Sequence, residues 1–276
     1  MEIKYNIQAK NITTYGGKGV LKKLYLPETI NEFVGLWQGE KNIHILGGGS
    51  NTIIPDGENG FTVVSTAKLK GIEVSGNHIV AECGARVSAL LKKAREQSLG
   101  GLEFMAGVPA TVGGLVRMNA GAFGHEIGVY IDKIVSLSAD NEIIEYYPPF
   151  DFGYRKGFQG VALKVSFNLD NMSIDQSVAT EKEYIKRRSL SQPKGRSTGS
   201  VFKNGKYSAG YCIDKVGLKG LRKGGAEISK IHGNFIVNVD DGSAEDFLYL
   251  VGVAKQRVFE EFGVDLEKEF ILLGEK

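Results

Sequence analysis

The alternation of apolar and polar positions divides the chain into short elements of both kinds. Ile30, Phe33, Val34 and Trp37 recur at the spacing of one helix face, and Thr29 with Glu32 has capping-box spacing. The apolar runs 43–46 and 61–64 read as strands, as does 79–83. Val87, Leu90, Leu91 and Ala94 make one face of a helix stopped by Gly100 and Gly101. Residues 131–138 and 142–147 read as a hairpin across Asp140 and Asn141, and Val161, Leu163, Val165 and Phe167 alternate as a half-buried strand does. Residues 169–180 are polar and weakly patterned, and a basic helix over about 180–190 follows. Ser208 is placed to cap a short helix ending at Gly217, and 235–239 reads as a strand. A long helix then runs from a Ser243 cap, with Glu245 and Asp246 in its first turn, to Gly263. Its inward stripe is Phe247, Leu250, Val251, Ala254, Val258 and Phe262, and a last strand covers about 269–273.

These elements predict an α+β fold in three segments. The first is 1–65, to which the C-terminal strand 270–276 is a candidate addition; the second is 66–183 and the third 184–269. With 34 basic against 32 acidic residues the net charge is +2, which leaves no basic excess for nucleic acid to meet. No run reaches the roughly 18–20 apolar residues of a membrane helix, and Met1-Glu2-Ile3-Lys4 lacks the apolar core of a signal peptide. Cys83 and Cys212 alone cannot make a disulfide framework or a zinc site, so no metal is expected. A cytoplasmic protein with neither nucleic-acid nor membrane partners is the expectation.

Composition adds one departure: 37 glycines against 6 prolines. The glycines sit among Val, Ile, Leu and Ala, where they let backbone approach other backbone or a ligand rather than form linkers. The run Leu46-Gly47-Gly48-Gly49-Ser50-Asn51 reads as an anion cradle or as a tight turn between strands. Thr52 stands where a third glycine of G-x-G-x-x-G belongs, so the dinucleotide fingerprint is absent. The second glycine segment holds Ala106, Gly107, Val108, Pro109, Val112, Gly113, Gly114, Asn119, Ala120, Gly121 and Gly124. It suits bare peptide laid against a flat ligand, or close-packed backbone in a core. Together the two loops favour one large ligand such as a dinucleotide. Ser200, followed by Lys203 and Asn204, reads as a hydroxyl beside an anion site or as a polar turn. Glu267 and Glu269 share a face if extended, either aimed into a cleft or on a solvated edge. Arg155 follows an aromatic run, with surface salt bridging as its plainer reading.

Taken in order with Gly153-Tyr154-Arg155, Gly217-Leu218-Lys219-Gly220 and the closing Leu266-Glu267-Lys268-Glu269, these segments closely resemble UDP-N-acetylenolpyruvoylglucosamine reductases. The length is similar to the compact subtype that lacks a long substrate-clamping insertion. The resemblance implies a two-part FAD-binding region of the vanillyl-alcohol-oxidase type and a C-terminal α/β substrate domain. It implies noncovalent FAD held by 46–51, 106–114 and 119–124, and NADPH as co-substrate in a ping-pong cycle. Hydride then passes from flavin to C3 of the enolpyruvyl ether in peptidoglycan precursor synthesis. Arg155, Ser200 and Glu269 fall on the catalytic positions, with Ser200 giving the proton to C2. Lys203, Asn204, Lys219 and His232 are candidate substrate contacts, and a monomer is expected. Alternatives of other kinds are a noncovalent-FAD oxidase of the same fold and a non-catalytic nucleotide-binding protein. The chain departs from the family pattern at Lys156 and Gly157, where a serine is usual after the arginine, at Ala110, and at Gly205.

Overall fold

The computed structural model describes residues 1–40, 42–138 and 140–275. Six α-helices are present among them: α1 (Ile30–Gly39), α2 (Val87–Glu96), α3 (Val112–Met118), α4 (Ile174–Ser191), α5 (Ala209–Lys215) and α6 (Ala244–Phe262). Interleaved with mostly antiparallel strands, they make the α+β class that the patterning predicts.

The contacts draw two compact units rather than three segments. One consists of Met1–Ile3, Tyr25–Gly48 and Thr62–Arg188, and the other of Lys4–Leu24, Gly49–Phe61 and Ser189–Lys276. Residues 1–65 divide between them because they hold no core of their own. Tyr25, Phe33, Leu36 and Val64 share a cluster with Leu69, Cys83, Leu137 and Leu163. Tyr15 and Ile53 are instead buried with Phe202, Phe247, Leu250 and Phe270.

In the first unit an antiparallel sheet runs in the order Ile143–Tyr146, Ile131–Leu137, Val161–Asn168, His78–Glu82, Ile72–Ser75. The buried residues of α2 (Val87, Leu90, Leu91 and Ala94) and of α3 (Val112, Leu115 and Val116) join Ile134, Val165 and Phe167 in its main core. The strand Ile43–Leu46 pairs in parallel with Thr62–Ser65. Helix α1 starts at Thr29, whose side chain accepts from the Glu32 N–H. The capping box does not close, however, because Glu32 accepts from the Glu28 N–H (2.8 Å) and from the N-terminal amine. Helix α4 begins at Ile174, six residues before the basic helix expected from the sequence. Ser177 is its one buried residue and donates to Glu103 (3.0 Å), while Glu181 pairs with Arg95. A helix anchored by polar pairs shows no apolar stripe, so its start was invisible to periodicity.

In the second unit the sheet order is Arg196–Ser200, Phe235–Asn238, Ala226–Ile228, Arg222–Lys223. Helix α6 buries Phe247, Leu250, Val251, Ala254 and Val258, with Phe262 partly buried. Its Ser243–Asp246 capping box is complete, and Gly263 ends it in the left-handed conformation. Asp56 adds a cap from outside, accepting from the N–H groups of Ala244 and Glu245 (both 2.9 Å). The C-terminal strand is Ile271–Leu272, paired in parallel with Thr52–Ile53; Lys276, the end of the expected span, lies outside the described residues.

Cys83 and Cys212 are free thiols, 2% and 0% exposed. Burial, with the charge of Glu82 adding to it, pushes the Cys83 thiol up to about 12. Native protein is expected to resist iodoacetamide at both cysteines at about pH 8, and unfolded protein to take up label on both. Labelling at equal rates in the two states would overturn this. The unfolded thiol ionises near 8.5 and the folded one near 12. This contribution to stability is therefore whole below about pH 8.5 and is lost as pH rises toward 12.

Candidate active site

The strand Ile43–Leu46 delivers the glycine run. Leu46 is buried and its carbonyl accepts from the Thr66 N–H (3.0 Å). Beyond it Gly47 and Gly48 lie against residues 109–111. A Cβ on Gly47 would stand 2.7 Å from Thr111 Oγ1, and one on Gly48 3.1 Å from the Pro109 carbonyl. Thr111 Oγ1 is buried with no hydrogen-bond partner in the protein. Leaving a buried hydroxyl unmatched costs about 1–3 kcal/mol, so this corner is built for something the chain does not itself supply. Between 106 and 124 the single charged residue is Arg117, which is exposed. Bare glycine backbone, small apolar side chains and an unmatched hydroxyl fit the flat ring system and phosphates of FAD.

The second glycine segment contributes differently from the sequence reading. Its N–H groups at Ala106, Val108, Val112, Gly113, Asn119 and Ala120 are committed to the carbonyls of Glu103, Met105, Ala85, Cys83, Val116 and Leu115. Leu46, Ala106 and Val112 also bury their side chains. These residues shape a wall and leave little of their own backbone to donate. Gly107 and Gly124 turn the chain at positive φ (+83° and +86°), and Gly113 and Gly114 stand in the first turn of α3.

Asn119 caps α3 in the left-handed conformation and is 2% exposed. Its Nδ2 donates to Glu126 (2.7 Å) and to the Gly153 carbonyl (3.1 Å), and its Oδ1 accepts from the Gly128 N–H (3.0 Å). Its carboxamide is thus held by three hydrogen bonds within the protein. Gly153 opens a tight turn closed by paired bonds with Lys156 (2.8 and 2.9 Å). Arg155 sits in that turn at φ +54°, a conformation that costs a non-glycine residue roughly 1–2 kcal/mol. Its Nη1 donates to the Gly121 carbonyl (3.4 Å) and its guanidinium lies over the Tyr154 ring at 5.0 Å. Gly121 and Tyr154 therefore orient the arginine where the family's serine is missing.

Sequence reasoning missed Arg188. Its Nε donates to the Ala106 carbonyl (3.0 Å) and its Nη2 to that of Phe104 (2.7 Å), and burial lowers its pKa. The guanidinium also lies over Phe123, whose ring stacks on Tyr184. The available signal was the paired Arg187-Arg188 on a helix, which reads as a solvated basic face.

In the second unit Gly49 has φ +63°, and a Cβ there would stand 2.0 Å from the Ile12 carbonyl oxygen. Its own carbonyl accepts from the Thr14 N–H (3.0 Å), and Thr14 Oγ1 donates to the Ser197 carbonyl (2.6 Å). Ser50 is half-buried, and its carbonyl takes a longer bond (3.4 Å) from the same hydroxyl. Asn51 donates from Nδ2 to the Glu269 carbonyl (2.9 Å), so its side chain holds the C-terminal segment.

Ser200 ends the strand Arg196–Ser200, whose pairing with Phe235–Asn238 shifts register between Ser197 and Ser200. Gly199, at φ +81°, lies within that bulge, a device that re-aims the residue following it. The bulge leaves Ser200 half-exposed. The next residue, Val201, accepts from the Glu269 N–H (2.8 Å), so backbone pairing ties the segment that follows Ser200 to the one carrying Glu269. Glu269 Oε2 is buried, whereas Glu267 is exposed and pairs with Lys203. The two glutamates thus have separate surroundings. Thr198 Oγ1, two residues before Ser200, is a second buried hydroxyl without a protein partner.

Asn204 Oδ1 accepts from the Ala209 N–H (3.1 Å) and caps α5, the task expected of Ser208, which makes no side-chain cap. Lys219 pairs with Asp214 (2.8 Å). Burial, helped by the Lys219 charge, holds His232 below its ordinary range, so it is mainly neutral at pH 7. Its Nδ1 accepts from the Asn234 N–H (3.2 Å), which leaves its proton on Nε2. Among the described residues no cluster of three or more His, Cys, Asp or Glu is placed to hold a metal ion. None of their helices is long and apolar enough to cross a membrane.

Residues 192–273 match the family described as the C-terminal domain of UDP-N-acetylenolpyruvoylglucosamine reductase, and residues 24–142 match the FAD binding domain. The chain is 37% identical to the UDP-N-acetylenolpyruvoylglucosamine reductase of Borrelia garinii, across 99% of this chain and 95% of that one. It is 39% identical to reductase 2 of Bacillus cereus, across 84% and 79%. The crystal structure of the Thermus caldophilus reductase superposes with a TM-score of 0.86 at 33% identity, covering 99% of each chain.

Proposed function

The chain belongs to the UDP-N-acetylenolpyruvoylglucosamine reductase family, and on that premise we propose that it reduces the enolpyruvyl ether of UDP-N-acetylglucosamine enolpyruvate to UDP-N-acetylmuramate. It does so as an FAD flavoprotein with NADPH as electron donor, in peptidoglycan precursor synthesis. When bound, FAD supplies a two-electron centre that takes hydride from NADPH and gives it to C3 of the substrate. The fold, the glycine corner at Gly47 and Gly48 and the unmatched Thr111 hydroxyl support FAD as the resident group.

The observation that supports this chemistry is the backbone bond from the Glu269 N–H to the Val201 carbonyl, which ties the segment following a half-exposed serine to the residue whose carboxyl has one buried oxygen. As C3 is reduced, charge builds on C2 and on the adjoining carboxylate. Ser200 Oγ donates its proton to C2; a carbanion-like carbon is basic enough to take it, so position counts for more than acidity. Arg155 meets the substrate carboxylate with its fixed charge, and Glu269 in its protonated form donates to the same group. Lys203, Asn204, Lys219 and His232 are the proposed sugar-nucleotide contacts. Asn204 keeps its Oδ1 on the Ala209 N–H and Lys219 its ion pair with Asp214, and the carboxamide nitrogen and the ammonium are the groups proposed to meet the sugar nucleotide. Two free thiols support a cytoplasmic setting, and a monomer is the oligomeric state proposed.

The test is anaerobic stopped-flow absorbance near 450 nm on FAD-loaded protein. NADPH is expected to bleach the flavin, and only the enolpyruvyl nucleotide to restore it. Bleaching by simple alcohols or sugars would favour an oxidase instead, and no bleaching by NADPH would favour a non-catalytic binder. Residues 47–51 contain no His or Cys and 106–122 no Cys, so acid precipitation is expected to release all FAD into the supernatant. FAD retained on the polypeptide would overturn noncovalent binding.

A further inference from the structure

We propose that Asn234 is a positioning residue for the proton donor: its buried carboxamide acts as a detached peptide group that registers the backbone carrying Ser200 against the segment carrying Glu269. The inference rests on the roles assigned to those two residues above.

The backbone ladder between Arg196–Ser200 and Phe235–Asn238 has its last paired residues at Ser200 and Phe235. Beyond them the main chain is pressed toward α5, where a Cβ on Gly233 would stand 2.9 Å from the Gly210 carbonyl oxygen. One more backbone bond follows, from the Val201 N–H to the Asn234 carbonyl (2.9 Å). From there the side chain of Asn234 takes over the ladder. Its Oδ1 accepts from the Phe202 N–H (2.9 Å) and its Nδ2 donates to the Phe202 carbonyl (2.8 Å). Asn234 is 2% exposed and Phe202 1%, so water does not compete for either bond. A carboxamide carries the same donor and acceptor as a peptide unit, which neither a carboxylate nor a hydroxyl reproduces.

The opposite edge of the same stretch faces the C-terminal segment. Glu269 donates its N–H to the Val201 carbonyl (2.8 Å) and Lys203 donates to the Glu267 carbonyl (2.9 Å). Val201 and Phe202 are therefore gripped from both sides, by Asn234 on one and by the Glu269 segment on the other. Ser200 is the residue immediately before that grip. Any slip of Phe202 moves the serine hydroxyl and shifts it relative to Glu269 at once. Asn234 itself needs no contact with substrate or flavin to have this effect.

The test uses FAD-loaded Asn234→Asp, which keeps the shape and the acceptor for Phe202 N–H but replaces the donor. Asn234→Ala, which removes donor and acceptor together without adding charge, is read in parallel. Both are expected to slow reoxidation by the enolpyruvyl nucleotide about 10- to 100-fold, with bleaching by NADPH kept within about twofold. A merely structural role would not respond to a second substitution at the serine. The decisive measurement is therefore the cycle with Ser200→Ala, in which Asn234→Asp is expected to cost almost nothing further. Reoxidation at the wild-type rate, or an equal loss with and without Ser200, overturns the assignment to Asn234. Wild-type enzyme that NADPH bleaches but the enolpyruvyl nucleotide fails to restore overturns the functional reading, and with it this inference.

Discussion

Ser200→Ala is expected to slow reoxidation of the reduced flavin by the enolpyruvyl nucleotide about 10²- to 10⁴-fold, the range typical of a lost general acid. Reduction by NADPH involves no proton delivery to C2 and is expected to stay near the wild-type rate. The split between half-reactions is the informative part, because misfolding or lost cofactor would depress both. Ser200 is suited to such a clean deletion: it is half-exposed, it follows a bulge, and Val201 and Phe202 hold the backbone after it. Alanine removes one oxygen and leaves that lattice intact. Turnover within a few fold of wild type would remove Ser200 from the mechanism. Water would then be the proton source.

Gly49→Ala is expected to weaken FAD binding about 100-fold or more, equal to roughly 2.8 kcal/mol at 1.4 kcal/mol per tenfold. Two costs combine at this position. Its φ of +63° lies in the left-handed region, which costs a residue with a Cβ about 1–2 kcal/mol. The new Cβ would also stand 2.0 Å from the Ile12 carbonyl oxygen and 2.8 Å from Thr13 Cα, and both are backbone atoms without a rotamer to change. The loop after Gly48 must therefore move as a piece, taking Ser50 and Asn51 with it. Gly124→Ala is the control: its φ is +86°, but nothing lies within 4 Å of the added carbon. It is expected to cost the conformational part alone. Titration of apo-protein with FAD, alongside melting curves of both variants, separates a local effect from global unfolding. Wild-type affinity in Gly49→Ala would show that residues 47–51 adapt freely and do not form a fixed cradle.

Much of this was legible because it is local. Helix α6 announces itself through its serine cap, its acidic first turn, its apolar stripe and its terminal glycine, all within about twenty positions. The glycine runs announce close backbone approach for the same reason. Helix α4 was legible only in its second half, since its grip depends on Glu103 and Arg95, far away in the chain. Asn119 and Asn51, which the motifs mark as ligand contacts, each also donate to a protein carbonyl. An amide side chain bonds equally well to a ligand or to a peptide, and composition does not distinguish the two.

Element types, the two glycine loops and the family to which the motifs belong can be read along the chain, because periodicity, capping and turn chemistry act over a few residues. Only the tertiary structure decided how 1–65 divides between two cores, which N–H groups of the second loop are already committed, and what holds Ser200. The last of these rests on hydrogen bonds between residues far apart in the chain, 32 positions for Asn234 with Phe202, as does the tie of Asn51 to Glu269 across 218. Such bonds leave no pattern in either partner's neighbourhood. They exist only once the chain has folded and brought the two edges together.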